Sequence, residues 1–462
     1  MQAPASPRGF ADDEALLREI LEEVIAAGEG DHALALHRRA VALGQALRGG
    51  DEAAGLELEA LVGSASVDDL QVLIRSLTRW FQLVNLAEDN ERVRRLRIRE
   101  SAEAPAPRRG SLRDAIGRLA ADGVEAHELA SLLAHADVEL VMTAHPTEAR
   151  RRTTLQKLAR IFATLRALDE RRGTPSALVI ARQRLAAAIQ ELWASDEIRA
   201  VSPTVLDEVR TGLMYFTSTL AEVVPALYRD LEAAVAEVYP DEDVPVPPLL
   251  RFGSWMGGDR DGNPYVTPEV TLEALEVMRD ACLRFLYDQA VRLAERVSLS
   301  TRLVGGAEAL DAVLADGAER FPDLTADLDA RNPEEPYRRA FSLIARRLRA
   351  TLEGDERGYP DPESLLVDLR ACDAALRSGG GAFVAAGELR EVIRQVEVFG
   401  FHFARLDIRE HAGIHAHAIG EVLAAVGLED DYPALDEPAR IALLTRLIEE
   451  RRPGLPAAPG GV

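Results

Sequence analysis

VELVMTAHPTEARRR, residues 138–152, decides how this chain is built. Its first half, Val138–Ala144, is short, partly alternating and free of helical periodicity, which is the pattern of a strand. The composition then changes abruptly. His145 stands at the strand's end, Pro146 suits the first position of a helix, and Thr147 and Glu148 bring a hydroxyl and a carboxylate to a helix N-terminus. Arg150, Arg151 and Arg152 then point around that helix in different directions. A strand whose polar end opens into a helix is the unit of a parallel β/α architecture, where the chemistry gathers at the C-terminal ends of the strands.

Two further segments have the same form, Pro247–Met256 (PPLLRFGSWM) and Gly400–Ile408 (GFHFARLDI). Long helical stretches separate the three, so adjacent strands must pair in parallel through crossovers. Three strands cannot close a barrel that needs eight. The expected fold is therefore mostly α with a partial parallel β/α (TIM-type) barrel, about three barrel strands present and the remainder missing. The unpaired edge of such a sheet predicts that the isolated chain oligomerises or aggregates.

Helical periodicity covers most of the rest. Leu16, Leu17, Ile20, Leu21, Val24 and Ile25 recur at three- and four-residue spacing within Asp12–Ala27, and similar patterns span His32–Leu47, Val67–Arg97, Leu112–Ala121 and Glu125–His135. Thr204 with Asp207 predicts a capping box, and Thr267-Pro268-Glu269 a second helix start. Trp80 and Phe81 are expected in the core. Breaks fall at Glu103–Gly110, Glu353–Ser364 and Arg377–Ala382. The expected organisation is a helical layer over 1–135, the N-terminal half of the barrel with long helical insertions over 136–452, and a frayed tail or truncation point over 453–462.

Composition narrows the function. The 462 residues are 47% hydrophobic and 28% charged, with a net charge of -23. A field of that sign repels nucleic acid, and it repels small anions unless arginines gather locally. Cys282 and Cys372 are far apart in helical contexts and read as buried thiols. Sparse cysteine, an N-terminus without an apolar signal segment, and no run of eighteen apolar residues predict a cytoplasmic protein with no membrane span.

The chemistry concentrates at the strand ends. His145 is placed to act as general base or to polarise an anionic intermediate. After the second strand, GSWMGGDRDGNPYVT (Gly253–Thr267) carries Gly257, Gly258 and Gly262, which allow positive φ and close backbone approach around Asp259 and Arg260. Asp259 and Arg260 either serve a ligand or simply pair with each other. A calcium loop does not fit, because glycine comes at loop position four instead of six and Val270 holds position twelve. In the third segment, alternation puts Ala404, Leu406 and Ile408 on one face and Phe403, Arg405, Asp407 and Arg409 on the other. Arg409 falls at the strand's end, where a guanidinium can grip a phosphate or carboxylate bidentately. His411, His415 and His417 follow and read as solvated helix histidines, with a zinc or nickel site as the alternative.

TAHPTEARRR closely resembles the signature around the catalytic histidine of the phosphoenolpyruvate carboxylases, bacterial type. GGDRDGNP, LWASDEIR with PTVLDEVRTG, RWFQLVNLAE and the LDIR segment are similar to further stretches of that family, in the same order, from about Ala65 to Pro456. The resemblance implies that His145 is catalytic and assists carboxyl transfer. It implies that Arg409, in preference to Arg405, holds the substrate phosphate, with Arg260 and Arg405 as further substrate contacts; Arg151 and Arg152 are an anion-binding pair of the kind that the acidic net charge requires. The implied reaction joins phosphoenolpyruvate and bicarbonate into oxaloacetate and phosphate, a carbon dioxide fixation step, in a homo-oligomer that uses Mg2+. The metal's carboxylate ligands, a catalytic lysine and an FHGRGG-type loop belong to the family's other half, and no such loop occurs here. This chain is thus expected to be the N-terminal half, with no metal ligand of its own. The alternative is a catalytically inactive, truncated helical scaffold with weak anion binding.

Overall fold

A computed structural model describes residues 8–143, 151–170, 175–196 and 203–450. Helices dominate it, and one sheet of three parallel strands completes it: β1 (Val138–Met142), β2 (Leu250–Ser254) and β3 (Arg405–Leu406), in the order β1-β2-β3. No helix among the described residues is long and apolar enough to cross a membrane.

The chain divides into two compact units. The first joins Met1–Ala115 to Thr147–Ser202, and the second joins Ile116–Pro146 to Pro203–Val462. The helices Arg152–Glu170 and Pro175–Trp193 therefore group with the N-terminal helices, although the sequence places them after the first strand.

In the first unit the helix Phe10–Arg48 is interrupted at Gly30 (φ 85, ψ 176), which separates the two helical patterns read from the sequence. Leu17, Ile20, Leu21 and Ile25 from its first half pack with Leu83 of the Val67–Glu103 helix and with Ile161, Leu165, Leu185 and Ile189. Trp80 joins that core, but Phe81 is 49% exposed and lies outside it. Consecutive helix positions differ by about 100°, so two adjacent rings do not share one buried stripe. Asp13 is buried and takes donors from Arg8, Arg94 and Asn90, which compensates its desolvation.

In the second unit β2 is the central strand and β1 an edge. Val138–Met142 pairs in parallel with Leu250–Ser254, residue for residue. Phe252 of β2 belongs to an aromatic cluster with Phe216, Phe399 and Phe403, ring centroids 5.3 to 6.1 Å apart. The Tyr228 hydroxyl accepts from the backbone N–H groups of Leu249 (2.7 Å) and Leu250 (2.9 Å), which fixes where β2 begins.

The third strand is shorter than expected. Gly400–Ala404 is not strand: the His402 and Phe403 amides donate back to the Phe399 carbonyl, so the chain turns directly out of the Arg390–Phe399 helix. Phe403 takes φ 63, a left-handed conformation for a bulky residue, and its ring is buried against Phe216 at 5.3 Å. The expected alternation therefore holds only from Arg405 onward, and Phe403 and Arg405 do not share a face of one strand. Burying the ring outweighs the extended pairing that periodicity favoured.

Phe252→Ala is expected to cost about 3–5 kcal/mol by opening a cavity in this cluster, read from chemical denaturation. Burial pushes the Cys282 thiol up to about 12 and raises Cys372 as well. Both are buried and free. At pH 8 both thiols stay protonated, so neither reacts with a thiol reagent until the chain unfolds, when both react.

Candidate active site

The C-terminal ends of the three strands share one hydrogen-bonded seam. Beyond β1 and β2, the Trp255 amide donates to the Met142 carbonyl at 2.9 Å. Beyond β2 and β3, the Asp407 amide donates to Ser254 O (2.9 Å), the Arg409 amide to Gly258 O (3.0 Å), and the Arg260 amide to Arg409 O (2.8 Å). Asp259 and Arg409 thus form an isolated parallel bridge past the strand ends. The glycine loop and the LDIR segment are held as one piece of backbone.

Two glycines make this approach possible. A Cβ on Gly258 would stand 2.2 Å from the Asp407 carbonyl oxygen, and one on Gly257 would stand 2.5 Å from Ala274 Cβ at a φ of +90°. The loop's far end is closed by the helix Pro268–Arg296. Its N-cap Thr267 accepts from the Val270 amide at 3.4 Å, with Pro268 in the first turn. Thr271 donates its hydroxyl to Gly257 O at 2.8 Å and accepts from Arg260 Nη2 at 3.1 Å, while Arg260 Nε donates to Val266 O at 3.2 Å. Arg260 therefore braces the loop from within.

Asp259 and Arg260 do not pair with each other. Asp259 Oδ2 accepts from Arg409 Nη1 at 2.8 Å, across the seam. The Arg409 guanidinium also lies 3.9 Å from the centroid of the Trp255 ring, and Trp255 Nε1 donates to Asp407 Oδ2 at 3.1 Å. Arg409 is half-buried, its side chain 39% exposed, and among the described residues its guanidinium makes no hydrogen bond besides that to Asp259. One edge of the cation is occupied, one face is covered, and donors remain for an anion.

The other expected residues fall as follows. Arg405 is exposed on β3, one strand position before Leu406. His145 and Arg150 lie outside the described residues. Arg151 and Arg152, at the start of the helix Arg152–Glu170, belong to the first unit, where Arg151 is half-buried and Arg152 exposed. His411 is the N-cap of the helix Ala412–Ala425, its Nδ1 accepting from the Gly413 amide at 3.1 Å, and His417 Nδ1 lies 2.8 Å from the Gly413 carbonyl. Among the described residues no three His, Cys, Asp or Glu side chains gather as they would to hold a metal ion. Sequence reasoning missed Trp255 and Asp407. The signals were present: Trp255 directly follows a strand, and Asp407 is two residues before Arg409 on one alternating face.

The sequence model of the phosphoenolpyruvate carboxylase family matches residues 10–459. This chain belongs to that family. It is 42% identical to the phosphoenolpyruvate carboxylase of Roseiflexus castenholzii over 457 residues, covering 95% of this chain and 48% of the relative. It is 36% identical to that of Azorhizobium caulinodans (97% and 49%) and 37% identical to that of Thermus thermophilus (96% and 49%). The chain therefore spans about half the length of these phosphoenolpyruvate carboxylases.

Gly258→Ala is expected to destabilise the second unit by about 3 kcal/mol, because the opposing atom is backbone and cannot rotate away. Gly262→Ala, with φ +73 and nothing among the described residues within 4 Å, should cost only the left-handed penalty of about 1–2 kcal/mol. Chemical denaturation of the two variants ranks them.

Proposed function

We propose that this chain is the N-terminal part of a phosphoenolpyruvate carboxylase, and that its parallel sheet is one section of a β/α barrel whose strand ends bind the substrate. The observation that carries the reading is Arg409, held just past the C-terminal end of β3 with donors to spare, in a chain of this family. The exposure of β1 supports the barrel: Val138, Leu140 and Val141 are 45%, 50% and 38% exposed. An apolar edge strand of this kind is completed by further strands and helices.

In this reading Arg409 receives the phosphate of phosphoenolpyruvate and offsets its charge. Arg405 is a second cation on the same segment, and Arg260 acts on the substrate mainly by fixing the loop that carries Asp259. A bicarbonate oxygen attacks phosphorus, giving carboxyphosphate and the enolate of pyruvate. Carboxyphosphate separates into carbon dioxide and phosphate, and the enolate carbon captures carbon dioxide to form oxaloacetate. His145, by its place in the TAHPTEARRR motif, assists that carboxyl transfer by holding or moving a proton. Arg151 and Arg152 are an anion-binding pair on the same motif. The family's metal dependence points to Mg2+ in the whole protein. The described residues do not fit a metal site, so no step of this chain's residues runs through one. The whole protein is a cytoplasmic homo-oligomer in this reading.

The test is oxaloacetate formation from phosphoenolpyruvate and bicarbonate with Mg2+, coupled to malate dehydrogenase, by this chain joined to the part of the Roseiflexus castenholzii relative that it does not cover. Turnover is expected, with His145→Ala lowering it by roughly 10²–10⁴-fold and Arg409→Ala acting chiefly on the KM for phosphoenolpyruvate. A folded assembly with no turnover, or one indifferent to both substitutions, contradicts the reading.

A further inference from the structure

A guanidinium on a long stem loses rotamer freedom when it grips a ligand, so an arginine fixed beforehand binds more tightly than a free one. Arg409 is fixed in two ways. The guanidinium carbon lies over the Trp255 ring, 3.9 Å from its centroid, and Nη1 is tied to Asp259 at 2.8 Å. Trp255 is itself held, since its indole N–H donates to Asp407 Oδ2 at 3.1 Å.

Asp407 is tied to the same seam. Its amide donates to Ser254 O at 2.9 Å, and its carbonyl is the atom that Gly258 approaches. Asp407 thus links the two segments through its backbone and aims the indole through its side chain. Neither Asp407 nor Trp255 offers a charge that would bind an anion. Asp407 would repel one, so its carboxylate suits a positioning task and not a binding one.

We propose that Trp255, oriented by Asp407, is a positioning residue that presents Arg409 to the phosphate of phosphoenolpyruvate. This rests on the reading of Arg409 given above. A bidentate grip needs two parallel N–H donors at a fixed orientation, and the stacked ring supplies that orientation before the ligand arrives.

The test is isothermal titration calorimetry of phosphoenolpyruvate, without bicarbonate, into the joined assembly used above, wild type and variants. Trp255→Leu and Asp407→Ala are expected to weaken binding about tenfold each, the scale of a partly desolvated cation–π contact. Asp407→Asn should recover most of the loss, because its amide oxygen still accepts the indole N–H. Trp255→Phe keeps a ring face and should fall between wild type and Trp255→Leu. Arg409→Ala should weaken binding more than any of these. If Arg409→Ala loses binding while Trp255→Leu and Asp407→Ala keep wild-type affinity, the positioning role is overturned and the Arg409 reading stands. Asp407→Asn as weak as Asp407→Ala overturns the acceptor role of Asp407. Wild-type affinity in Arg409→Ala, or no binding by the wild-type joined assembly, overturns both.

Discussion

The site depends on one close approach of backbone to backbone. Gly258 lies against the Asp407 carbonyl so tightly that no side chain fits between them. That contact lets Ser254, Gly258, Asp407 and Arg409 continue the parallel ladder after the strands end. Every polar feature of the site follows from the seam. Asp259 reaches Arg409, Trp255 reaches both Asp407 and Arg409, and Arg260 turns inward to Thr271. The aromatic cluster ties Phe252 of β2 to Phe399 and Phe403, the residues that lead into β3, with Phe403 accepting a left-handed backbone to place its ring there.

Electrostatics explains why such a construction suits an acidic protein. The chain carries a net charge of -23, but at physiological ionic strength charges beyond about 8 Å are largely screened. What an arriving phosphate meets is local: a fixed guanidinium, with Asp259 taking one side of it. Asp259 lowers the net positive charge of the site and also removes the conformational freedom of Arg409. The second effect favours specificity for a ligand of the right shape over anions in general.

Much of this was legible in the sequence because strong local signals agree with the fold. The helix starts at Thr204 and Thr267 follow from capping chemistry alone, and both N-caps form as expected. The parallel order of three strands follows from the helices between them. The family motifs singled out the glycine loop and the LDIR segment, which the structure brings together. What stayed illegible needs tertiary information. Periodicity extended the third strand back to Gly400, because nothing local shows that Phe403 prefers the aromatic core. Adjacency left it open that Asp259 pairs with Arg260, whereas the sheet register delivers Arg409 as its partner. Phe81 looked like core beside Trp80, but helix geometry turns it outward. Trp255 gains its role only when β3 lies beside β2.

The most direct measurement is amide hydrogen exchange across the seam, at Arg260, Asp407 and Arg409. The account predicts that these amides exchange slowly and together, like those of a strand, because each donates to a carbonyl on the opposing segment. Exchange at the rate of free loops, while β2 stays protected, would show that the glycine loop and the LDIR segment are not one unit. Arg409 would then be an unfixed surface arginine, and the site described here would not exist.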